Sequence, residues 1–353
     1  MRLLFDPEPP VVRWCHETPS GRRVGRAVWD SAGRAAVERA LRAGEVDSVV
    51  YRMRHGGDCL RVPVSRVTPA VLAAAQEAVR YSPEYNGLSV ALLQELQGRL
   101  PKAAHLILCD TALFWGLPPA ASSYAVPAEL SHRGVRRYGG DGLLHEWAGI
   151  RARELFGPAA QRVVSVRLGD RTNAAALADG RPMDTTMGFT PVEGILSDTC
   201  CGDIDSSVVF ELQSAGLALR EINELLSARS GIRALVGRRC GFAELLSGTG
   251  AALVLARRIL RYEVVKSVGA FAAVLGGVDV VVFSADDPPA SGRFIRDICR
   301  DLGCLGWRLG PLCGRPQDGA VLSAPGSEVK AVVLKNDIWS VMSCLSQAAE
   351  MEV

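Results

Sequence analysis

The chain has 353 residues, which is enough for two ordinary domains with two substantial cores. Its hydrophobic content of 48% and charged content of 22% are those of a soluble globular protein. The formal net charge of +2 gives no electrostatic reason to expect a nucleic acid or an anionic membrane as partner. The apolar segment 264–283 contains Lys266 and Asp279 and is interrupted by glycines, so it predicts a buried helix and a buried strand instead of a membrane span.

Ten cysteines and five histidines are spread along the chain without a Cys-x-x-Cys pair or a zinc-type spacing. We expect most of the cysteines to be small buried hydrophobes in a reducing compartment. The first residues show no apolar signal-peptide core, which favours a cytoplasmic location. The high content of Ala, Arg and Gly is typical of a GC-rich bacterial source.

Apolar runs and helical spacings alternate along the chain. In its first third they predict a strand at Leu3–Phe5, a turn at Pro7–Pro10, a strand at Val11–Trp14, a helix from Ser31 to about Arg42, a strand at Val49–Arg52, helices at Thr68–Arg80 and Leu88–Leu100, and a strand at His105–Cys109. After a Pro- and Ser-rich connection at Leu117–Pro127 they predict a helix at Leu144–Phe156, strands at Arg162–Leu168 and Asn173–Ala178, helices at Gly216–Ser227, Phe242–Leu246 and Ala251–Leu275, a strand at Val278–Phe283, a helix at Ser291–Leu302, a strand at Val329–Leu334 and a helix at Asp337–Ala349. This alternation in two successive blocks predicts an α/β protein with two lobes.

The stretch Asp184–Asp205 reads DTTMGFTPVEGILSDTCCGDID and concentrates the residues that suggest chemistry. It contains tight-turn glycines, a Thr-Pro-x-Glu helix opening and, behind Gly202, the acidic pair Asp203 and Asp205. Carboxylates after a glycine turn either bind a metal or cap the following helix, and the spacing alone favours the cap.

Five motifs follow one another along the chain. They are Arg52-x-x-His55-Gly56-Gly57, Cys109-Asp110-Thr111-Ala112, Arg136-Arg137-Tyr138-Gly139, the stretch Asp184–Asp205, and Gly276-Gly277-Val278-Asp279 followed by Val281-Val282-Phe283. Together they resemble the signature segments of the acetate and propionate kinases, the acetokinase family. The resemblance covers most of the chain and implies the two-lobed α/β fold of acetate kinases, sugar kinases, Hsp70 and actin (ribonuclease H-like), with a shortened first lobe. It places the first lobe at 1–112, completed by a C-terminal helix at 336–353, and the second lobe, with the nucleotide side and the dimer face, at 113–335.

The resemblance also implies roles for individual residues. Catalysis is assigned to Arg52, Asp110, Asp141 and Cys200, substrate binding to Arg52, His55, Tyr85 and His145, cofactor binding to Gly169, Asp203, Arg258 and Asp286, and metal binding to Asp110 and Asp337. The cofactor implied is Mg-ATP, and the assembly implied is a homodimer.

The residues that differ from the family pattern lie in the segments that bind phosphate groups or act in phosphoryl transfer. They are Asp141 for a histidine, Cys200 for an arginine, Tyr85 for a histidine, Asp337 for a glutamate, Asp6–Pro10 for the phosphate loop and 286–290 for the nucleotide turn. Phosphate loops bind through converging backbone N–H groups. The two replaced loops carry prolines and carboxylates instead, so they predict weak nucleotide binding.

Three hypotheses about function follow. An arginine that stabilises phosphoryl transfer contributes about 10³–10⁵ to the rate. The sequence therefore favours an impaired ATP:carboxylate phosphotransferase, a pseudokinase that binds a small carboxylate or a protein partner and needs no certain cofactor. The alternative is an active ATP-dependent short-chain carboxylate kinase that uses Mg-ATP and forms an acyl phosphate. The second alternative is a repurposed enzyme with Cys200 or Cys201 as nucleophile, so enzymatic activity itself stays open.

Overall fold

The structure is a computed structural model that describes residues 1–41, 44–310 and 315–351. The chain divides into two compact units. The first unit comprises residues 1–115, 140–143 and the segment from 337 onward, and the second unit comprises residues 116–139 and 144–336. The segment 140–143 thus belongs to the first unit although its neighbours in sequence belong to the second.

A six-stranded sheet forms the centre of the first unit, with the strand order β3-β2-β1-β4-β6-β5. Its strands are β1 (Arg2–Glu8), β2 (Val11–Thr18), β3 (Gly21–Val28), β4 (Ser48–Met53), β5 (Val64–Arg66) and β6 (Ala104–Cys109). Strands β1, β4 and β6 are parallel, whereas β2, β3 and β5 are antiparallel to their neighbours. All six residues of β4 are buried, as is typical of a central parallel strand covered on both faces.

Helices surround this sheet. In the first unit they are α1 (Ser31–Leu41), α2 (Pro69–Glu77), α3 (Pro83–Arg99) and α13 (Ile338–Met351). The Thr68 hydroxyl accepts a hydrogen bond from Val71 N at 3.2 Å and caps α2. In the core, the rings of Phe5 and Tyr51 stack with centroids 5.9 Å apart, and the Tyr51 hydroxyl hydrogen-bonds His105 Nδ1 at 2.9 Å.

The second unit has its own six-stranded sheet, with the order β11-β12-β10-β7-β8-β9. The strands are β7 (Arg162–Leu168), β8 (Asn173–Ala178), β9 (Arg181–Thr185), β10 (Val280–Ala285), β11 (Ala320–Val321) and β12 (Lys330–Lys335). The helices are α4 (Pro119–Ser122), α5 (Ala128–His132), α6 (Gly142–Phe156, which begins in the first unit), α7 (Ser207–Ser214), α8 (Leu219–Ala228), α9 (Gly231–Val236), α10 (Phe242–Ser247), α11 (Ala251–Val274) and α12 (Pro288–Asp301). Within the described residues, no helix combines the length and the apolar character that crossing a bilayer requires.

The predicted α/β class is confirmed, but several strands were missed. Strand β3 reads GRRVGRAV, lies at the sheet edge and is largely exposed, so it lacks the apolar alternation that predicts a strand. Strands β5, β9 and β11 are short and were missed for the same reason. The predicted turn at Pro7–Pro10 is wrong at its start, because β1 continues through Glu8.

The predicted helix at Gly216–Ser227 is also wrong in its bounds. Gly216 has a φ of +95° and lies between two separate helices, α7 and α8, because this left-handed conformation suits glycine and interrupts a helix. Helices α4, α5, α7 and α9 were not predicted. Arg42, the predicted end of the first helix, and Cys313 lie outside the described residues.

The described cysteines are all free thiols. Cys15, Cys109, Cys240 and Cys299 are buried, and Cys304 is exposed. The expectation of buried cysteines thus holds for only part of the described set.

Candidate active site

The chemically suggestive residues of the first unit meet because three parallel strands end at the same edge of the sheet. Asp6 lies near the end of β1, Arg52 lies near the end of β4, and Asp110 follows β6 directly. The register pairs Phe5 with Tyr51 and Arg52 with Leu108. Because β4 and β6 are parallel neighbours, Arg52 and Asp110 lie at the same edge of the sheet. Open α/β sheets commonly bind their ligands at this edge.

Arg52 is the centre of this site and is only 3% exposed. Its Nε and Nη2 atoms donate to both carboxylate oxygens of Asp110 at 3.1–3.2 Å. Its Nη1 donates to Asp6 Oδ1, and its Nη2 donates to Asp141 Oδ1, both at 3.3 Å. Burial opposes the charge of the guanidinium, but Asp110, Asp6 and Asp141 raise the pKa of Arg52 above its ordinary value. Arg52 is therefore already satisfied by three carboxylates of its own chain.

Arg54 is a second buried cation that sequence reasoning missed. It pairs with Asp110 Oδ2 at 3.4 Å, with Asp141 Oδ1 at 3.5 Å and with Asp6 Oδ1 at 3.6 Å. Burial and the nearby Arg52 lower its pKa. The sequence offered a signal, because Arg54 follows β4 directly and residues two apart in an extended segment point to the same face.

Asp141 reaches the cluster through an unusual backbone conformation. Its φ is +51°, in the left-handed region that Asp tolerates better than most residues. The next residue, Gly142, donates its N–H to Asp110 O at 2.9 Å, and a Cβ on Gly142 would lie 2.1 Å from that oxygen. This close approach holds Asp141 beside Arg52 and Arg54.

Arg13 and Glu8 extend the same ion network. Arg13 pairs with Asp6 and, at 2.9 Å, with Glu8. Burial opposes ionisation of Asp6, but Arg52, Arg54 and Arg13 together hold the pKa of its carboxyl below the ordinary value. We call Asp6, Glu8, Arg13, Arg52, Arg54, Asp110 and Asp141 the arginine–carboxylate cluster. It contains four carboxyl groups and three guanidinium groups.

The pKa of Asp110 reflects both its burial and its charged neighbours. Burial raises the pKa of Asp110, and Asp141 adds to this shift, against the opposing effect of Arg52 and Arg54. Asp110 is 1% exposed and Asp141 is 5% exposed. The buried guanidinium groups of the cluster are thus paired within the chain, and carboxyl groups outnumber them.

The predicted substrate-binding residues of the first unit lie in different environments. The His55 ring stacks on Tyr81 with centroids 4.9 Å apart, and its Nδ1 accepts a hydrogen bond from Gly57 N. The Tyr85 ring lies 5.6 Å from Arg54 Cζ, in a cation–π geometry. Tyr85 thus contacts the arginine–carboxylate cluster. The roles of His55 and Tyr85 in substrate binding stay predictions.

His145 lies in the second unit and is completely buried. Its Nδ1 shares a hydrogen bond with Ser165 Oγ at 2.8 Å, and its Nε2 shares one with Asn173 Oδ1 at 2.5 Å. Both ring nitrogens therefore join α6 to the strands β7 and β8, and a role in substrate binding stays a prediction.

Gly169 and Asp286 meet at the ends of β7 and β10. A Cβ on Gly169 would lie 2.8 Å from Asp286 Oδ2, so the carboxylate lies directly over the glycine. Asn336 Nδ2 donates to Asp286 Oδ1 at 2.9 Å. The turn that the resemblance assigns to phosphate therefore carries a fixed carboxylate.

The cysteine pair lies in the second unit. Cys200 Sγ donates to Ser227 O at 3.2 Å, and Cys201 Sγ donates to Gly202 O at the same distance. Burial raises the pKa of Cys201, and Cys200 and Asp203 raise it further. A cysteine with a raised pKa is a poor nucleophile, so the thiol hypothesis gains no support at Cys201.

The remaining predicted residues have structural contacts or lie on the surface. Asp203 Oδ1 accepts a hydrogen bond from Gly194 N at 2.8 Å, which fixes a turn. Asp337 caps α13 by accepting from Trp339 N and Ser340 N at 3.1 and 3.3 Å. Arg258 is exposed on α11.

The two residues predicted to bind a metal, Asp110 and Asp337, both contact other groups of the chain. Mg²⁺ needs oxygen ligands in near-octahedral geometry, but Asp110 points both oxygens at guanidinium groups and Asp337 points its oxygens at the start of α13. In the described part of the chain, the one group of side chains close enough to share a metal ion is Asp58, Cys59 and Glu77. Sequence reasoning did not single out this group.

Comparisons of the sequence with known proteins agree on one family. The sequence profile of the Acetokinase family matches residues 34–342. An acetate kinase of Bacteroides thetaiotaomicron is 32% identical over 302 residues, which is 83% of this chain and 75% of that protein. An acetate kinase of Rhodopseudomonas palustris is 32% identical over 305 residues, which is 85% of this chain and 76% of that protein.

Solved structures agree in fold. The crystal structure of Porphyromonas gingivalis acetate kinase has a TM-score of 0.87 at 25% identity and covers 98% of both chains. The crystal structure of acetate kinase from Entamoeba histolytica has a TM-score of 0.89 at 18% identity, also over 98% of both chains, and supports the fold alone. The predicted two-lobed acetate-kinase type of fold is confirmed. The names of the relatives favour an ordinary acetate kinase, and nothing in these comparisons indicates a pseudokinase.

Proposed function

Because this chain belongs to the acetokinase family, we propose that it uses the family fold to bind a small carboxylate or a protein partner without transferring phosphoryl groups from ATP. The observation that carries this proposal is the saturation of Arg52 by Asp6, Asp110 and Asp141. In the resemblance, this arginine holds the carboxylate or phosphoryl group of a substrate. Here, an external anion would have to displace carboxylates that are already bonded.

The energy of that displacement is unfavourable. Each carboxylate about 4 Å from a bound anion opposes it by about 1–4 kcal/mol at an effective dielectric constant of roughly 80–20. The arginine that corresponds to Cys200 would contribute about 10³–10⁵ to the rate of phosphoryl transfer, which is about 4–7 kcal/mol. The first effect opposes an anion at Arg52, so in this proposal a carboxylate ligand binds away from Arg52, and the second effect removes stabilisation of the transition state.

The second unit supports the same proposal through an independent contact. The carboxylate of Asp286 lies over Gly169 and is held there by Asn336. Phosphate groups bind where backbone N–H groups converge without competing negative charge. A fixed carboxylate at this turn opposes binding of the nucleotide phosphates.

An active short-chain carboxylate kinase that uses Mg-ATP is the second candidate. It is favoured by the 32% identity to proteins named acetate kinases over more than four fifths of the chain. It is also favoured by the retained pair of Arg52 and Asp110, whose side chains meet at 2.9 Å. In that case, substrate binding would have to open the arginine–carboxylate cluster.

Titration calorimetry with Mg-ATP and Mg-ADP tests the proposal. We expect no saturable binding at millimolar nucleotide, and no hydroxamate formed from ATP with acetate, propionate or butyrate. Micromolar nucleotide binding together with acyl phosphate formation that is lost in Asp110→Asn would establish the kinase instead. The double variant Asp141→His with Cys200→Arg restores two family residues and serves as the control for gain of binding. A homodimer, which light scattering after size-exclusion chromatography would detect, is part of the proposal, as is a cytoplasmic location.

A further inference from the structure

The first sheet has an open edge at β3. This strand is the last one in the order β3-β2-β1-β4-β6-β5, and among the strands of the described residues β2 is the one that pairs with it. It is eight residues long, and most of its residues are exposed. A long, exposed edge strand offers its backbone N–H and C=O groups to a further strand.

The register shows which backbone groups of β3 point outward. Just beyond the strand, Trp29 N donates to Pro10 O at 2.9 Å, and the pairing of β2 with β3 continues from there without a shift. Bonded and non-bonded pairs alternate along an antiparallel ladder. The odd-numbered residues of β3 therefore bond to β2, whereas the N–H and C=O groups of Arg22, Val24 and Arg26 point away from it. We call this outer side of residues 21–28 the β3 edge.

The β3 edge has positive charge without a counter-charge. The strand reads GRRVGRAV and contains no acidic residue. Arg22 is occupied, since its Nε donates to Glu17 Oε1 at 2.7 Å and its Nη1 donates to Ser340 Oγ at 2.6 Å. Arg23 and Arg26 are exposed, and neither forms an ion pair with another described residue. Two guanidinium groups of this edge are therefore available to carboxylates of another molecule.

Apolar side chains lie beside these arginines. Val24 is 60% exposed and Val28 is 48% exposed. Residues two apart on a strand share a face, so Val24, Arg26 and Val28 lie on one face of the sheet. Arg23 lies on the opposite face. A strand added at this edge would meet positive charge on both faces and apolar surface on one of them.

A second copy of β3 is a poor occupant of this edge. Pairing of two β3 strands would bring together Arg23 and Arg26 of both copies, and the strand supplies no carboxylate to neutralise them. Like charges that face each other across a ladder are destabilising, whereas opposite charges in cross-strand pairs are favourable. Charge complementarity therefore favours an acidic strand.

We propose that the β3 edge binds an extended acidic segment of another protein, which adds a further strand to the first sheet. The backbone of this segment pairs with the outward groups of Arg22, Val24 and Arg26, and its carboxylates pair with Arg23 and Arg26. In this mode of recognition, main-chain hydrogen bonds give affinity and side chains give specificity. The inference goes beyond the proposed function, because it concerns the sheet edge and does not depend on whether the chain binds Mg-ATP.

Fluorescence anisotropy of a dye-labelled peptide, Val-Thr-Glu-Thr-Val-Glu-Thr, with the full chain tests this inference. In antiparallel pairing, its glutamates lie opposite Arg26 and Arg23 and its valines lie opposite Val28 and Val24. We expect saturable binding in the absence of nucleotide. The control peptide Val-Thr-Lys-Thr-Val-Lys-Thr should bind at least about tenfold more weakly, because it places like charges opposite the arginines.

Hydrogen exchange measured by NMR distinguishes an added strand from contact between side chains alone. The amides of Val24 and Arg26 point outward, so they should exchange rapidly in the free protein, whereas the amides of Arg23 and Gly25 bond to β2 and should exchange slowly. The glutamate peptide should slow the two outward amides by at least about tenfold. The two inward amides should change by less than about threefold.

Matched variants at Val24 test the backbone contact. Val24→Pro removes the outward N–H and leaves the ladder with β2 in place, because proline is tolerated where an edge N–H faces solvent. It should bind the glutamate peptide at least about tenfold more weakly. Val24→Thr keeps both the N–H and the β-branched shape, so it should bind within about threefold of the natural chain. Melting temperatures show whether both variants fold.

The double variant Arg23→Gln with Arg26→Gln tests the charges. It should bind the glutamate peptide about tenfold more weakly, because both cross-strand charge pairs are lost. Arg258→Gln, at an exposed position of the second unit, is the control and should leave binding unchanged. If Val24→Pro does not fold, the double variant gives an independent answer.

Four results would overturn the inference. They are the absence of saturable binding at millimolar glutamate peptide, equal binding of the lysine peptide, unchanged binding by the double variant, and a dimer in light scattering that Val24→Pro abolishes, which would assign the edge to a second copy. Nucleotide binding in the calorimetric experiment would refute the proposed function but would leave these titrations valid, since they contain no nucleotide. The two proposals can therefore fail separately.

Discussion

The arginine–carboxylate cluster of the first unit differs from the surroundings of Cys200 in the second unit. In the first unit, Asp6, Asp110 and Asp141 pair with Arg52, so the positive charge is satisfied within the chain. In the second unit, Cys200 lines a cavity of about 190 Å³. The comparison teaches that one candidate region is closed by ion pairs whereas the other keeps open space.

Removal of Arg52, the central cation of the cluster, is expected to change stability most. Arg52→Ala would leave Asp6, Asp110 and Asp141 with Arg54 as their remaining shared partner, so we expect a loss of about 3–5 kcal/mol in the free energy of unfolding. Chemical denaturation at neutral pH measures it. Arg258→Ala, on an exposed part of α11, is the matched control and should change stability by less than about 0.5 kcal/mol. A small effect at Arg52 would mean that the cluster is not a stabilising unit.

Glu146, a largely buried carboxyl group of the second unit, provides the next test. Burial raises the pKa of Glu146 to about 7, and its Oε2 has no hydrogen-bond partner among the described residues. The folded pKa lies above the unfolded value of 4.5, so Glu146 does not lower stability below pH 4.5 and lowers it increasingly as the pH rises to about 7. Glu146→Gln should remove this dependence and stabilise the protein at pH 8 by up to about 3 kcal/mol.

Measurement of the unfolding free energy at pH 5 and pH 8 checks this prediction. The natural chain and Glu146→Gln should converge at the lower pH and separate at the higher one. Equal differences at both values would show that Glu146 ionises normally in the folded protein.

The smallest expected effect concerns one contact of the cluster. Asp141→Asn keeps the shape of the side chain but removes the charge opposite Arg52 and Arg54, so we expect a loss of about 1–3 kcal/mol. Glu224→Gln, at an exposed position of α8, changes charge without a buried partner and is the control. Denaturation curves that coincide for both variants would show that Asp141 contributes no more than a surface carboxylate.

Much of the fold could be predicted because its central strands are apolar and buried. The runs at β4 and β6 predicted that Arg52 and Asp110 lie at the ends of strands, but the parallel pairing that brings the two ends together is seen only in the structure. Strand β3 could not be predicted, because its arginines lie at an exposed edge and its position depends on pairing with β2. The local sequence indicates which strands are buried, but it does not indicate which strand pairs with an exposed edge strand.

The contacts of the candidate site were harder to predict. Asp141 meets Arg52 across 89 positions of sequence, and a left-handed turn at Asp141 decides that contact. Arg54 could have been found from its spacing of two residues from Arg52. The cavity could not be found, because its volume depends on how Cys200, Ile195 and the end of α8 pack in three dimensions.

The position of α13 has a consequence for the order in which the protein is made. Arg2 in β1 donates to Ser343 O at 3.3 Å across 341 positions, and α13 packs on β1, β4, β5 and β6. The ribosome therefore synthesises the whole second unit before the helix that covers the first sheet exists. Contacts of such separation in sequence slow folding, and a sheet that waits without its cover exposes apolar surface. We therefore expect the first unit to complete its fold only after the second unit has been synthesised.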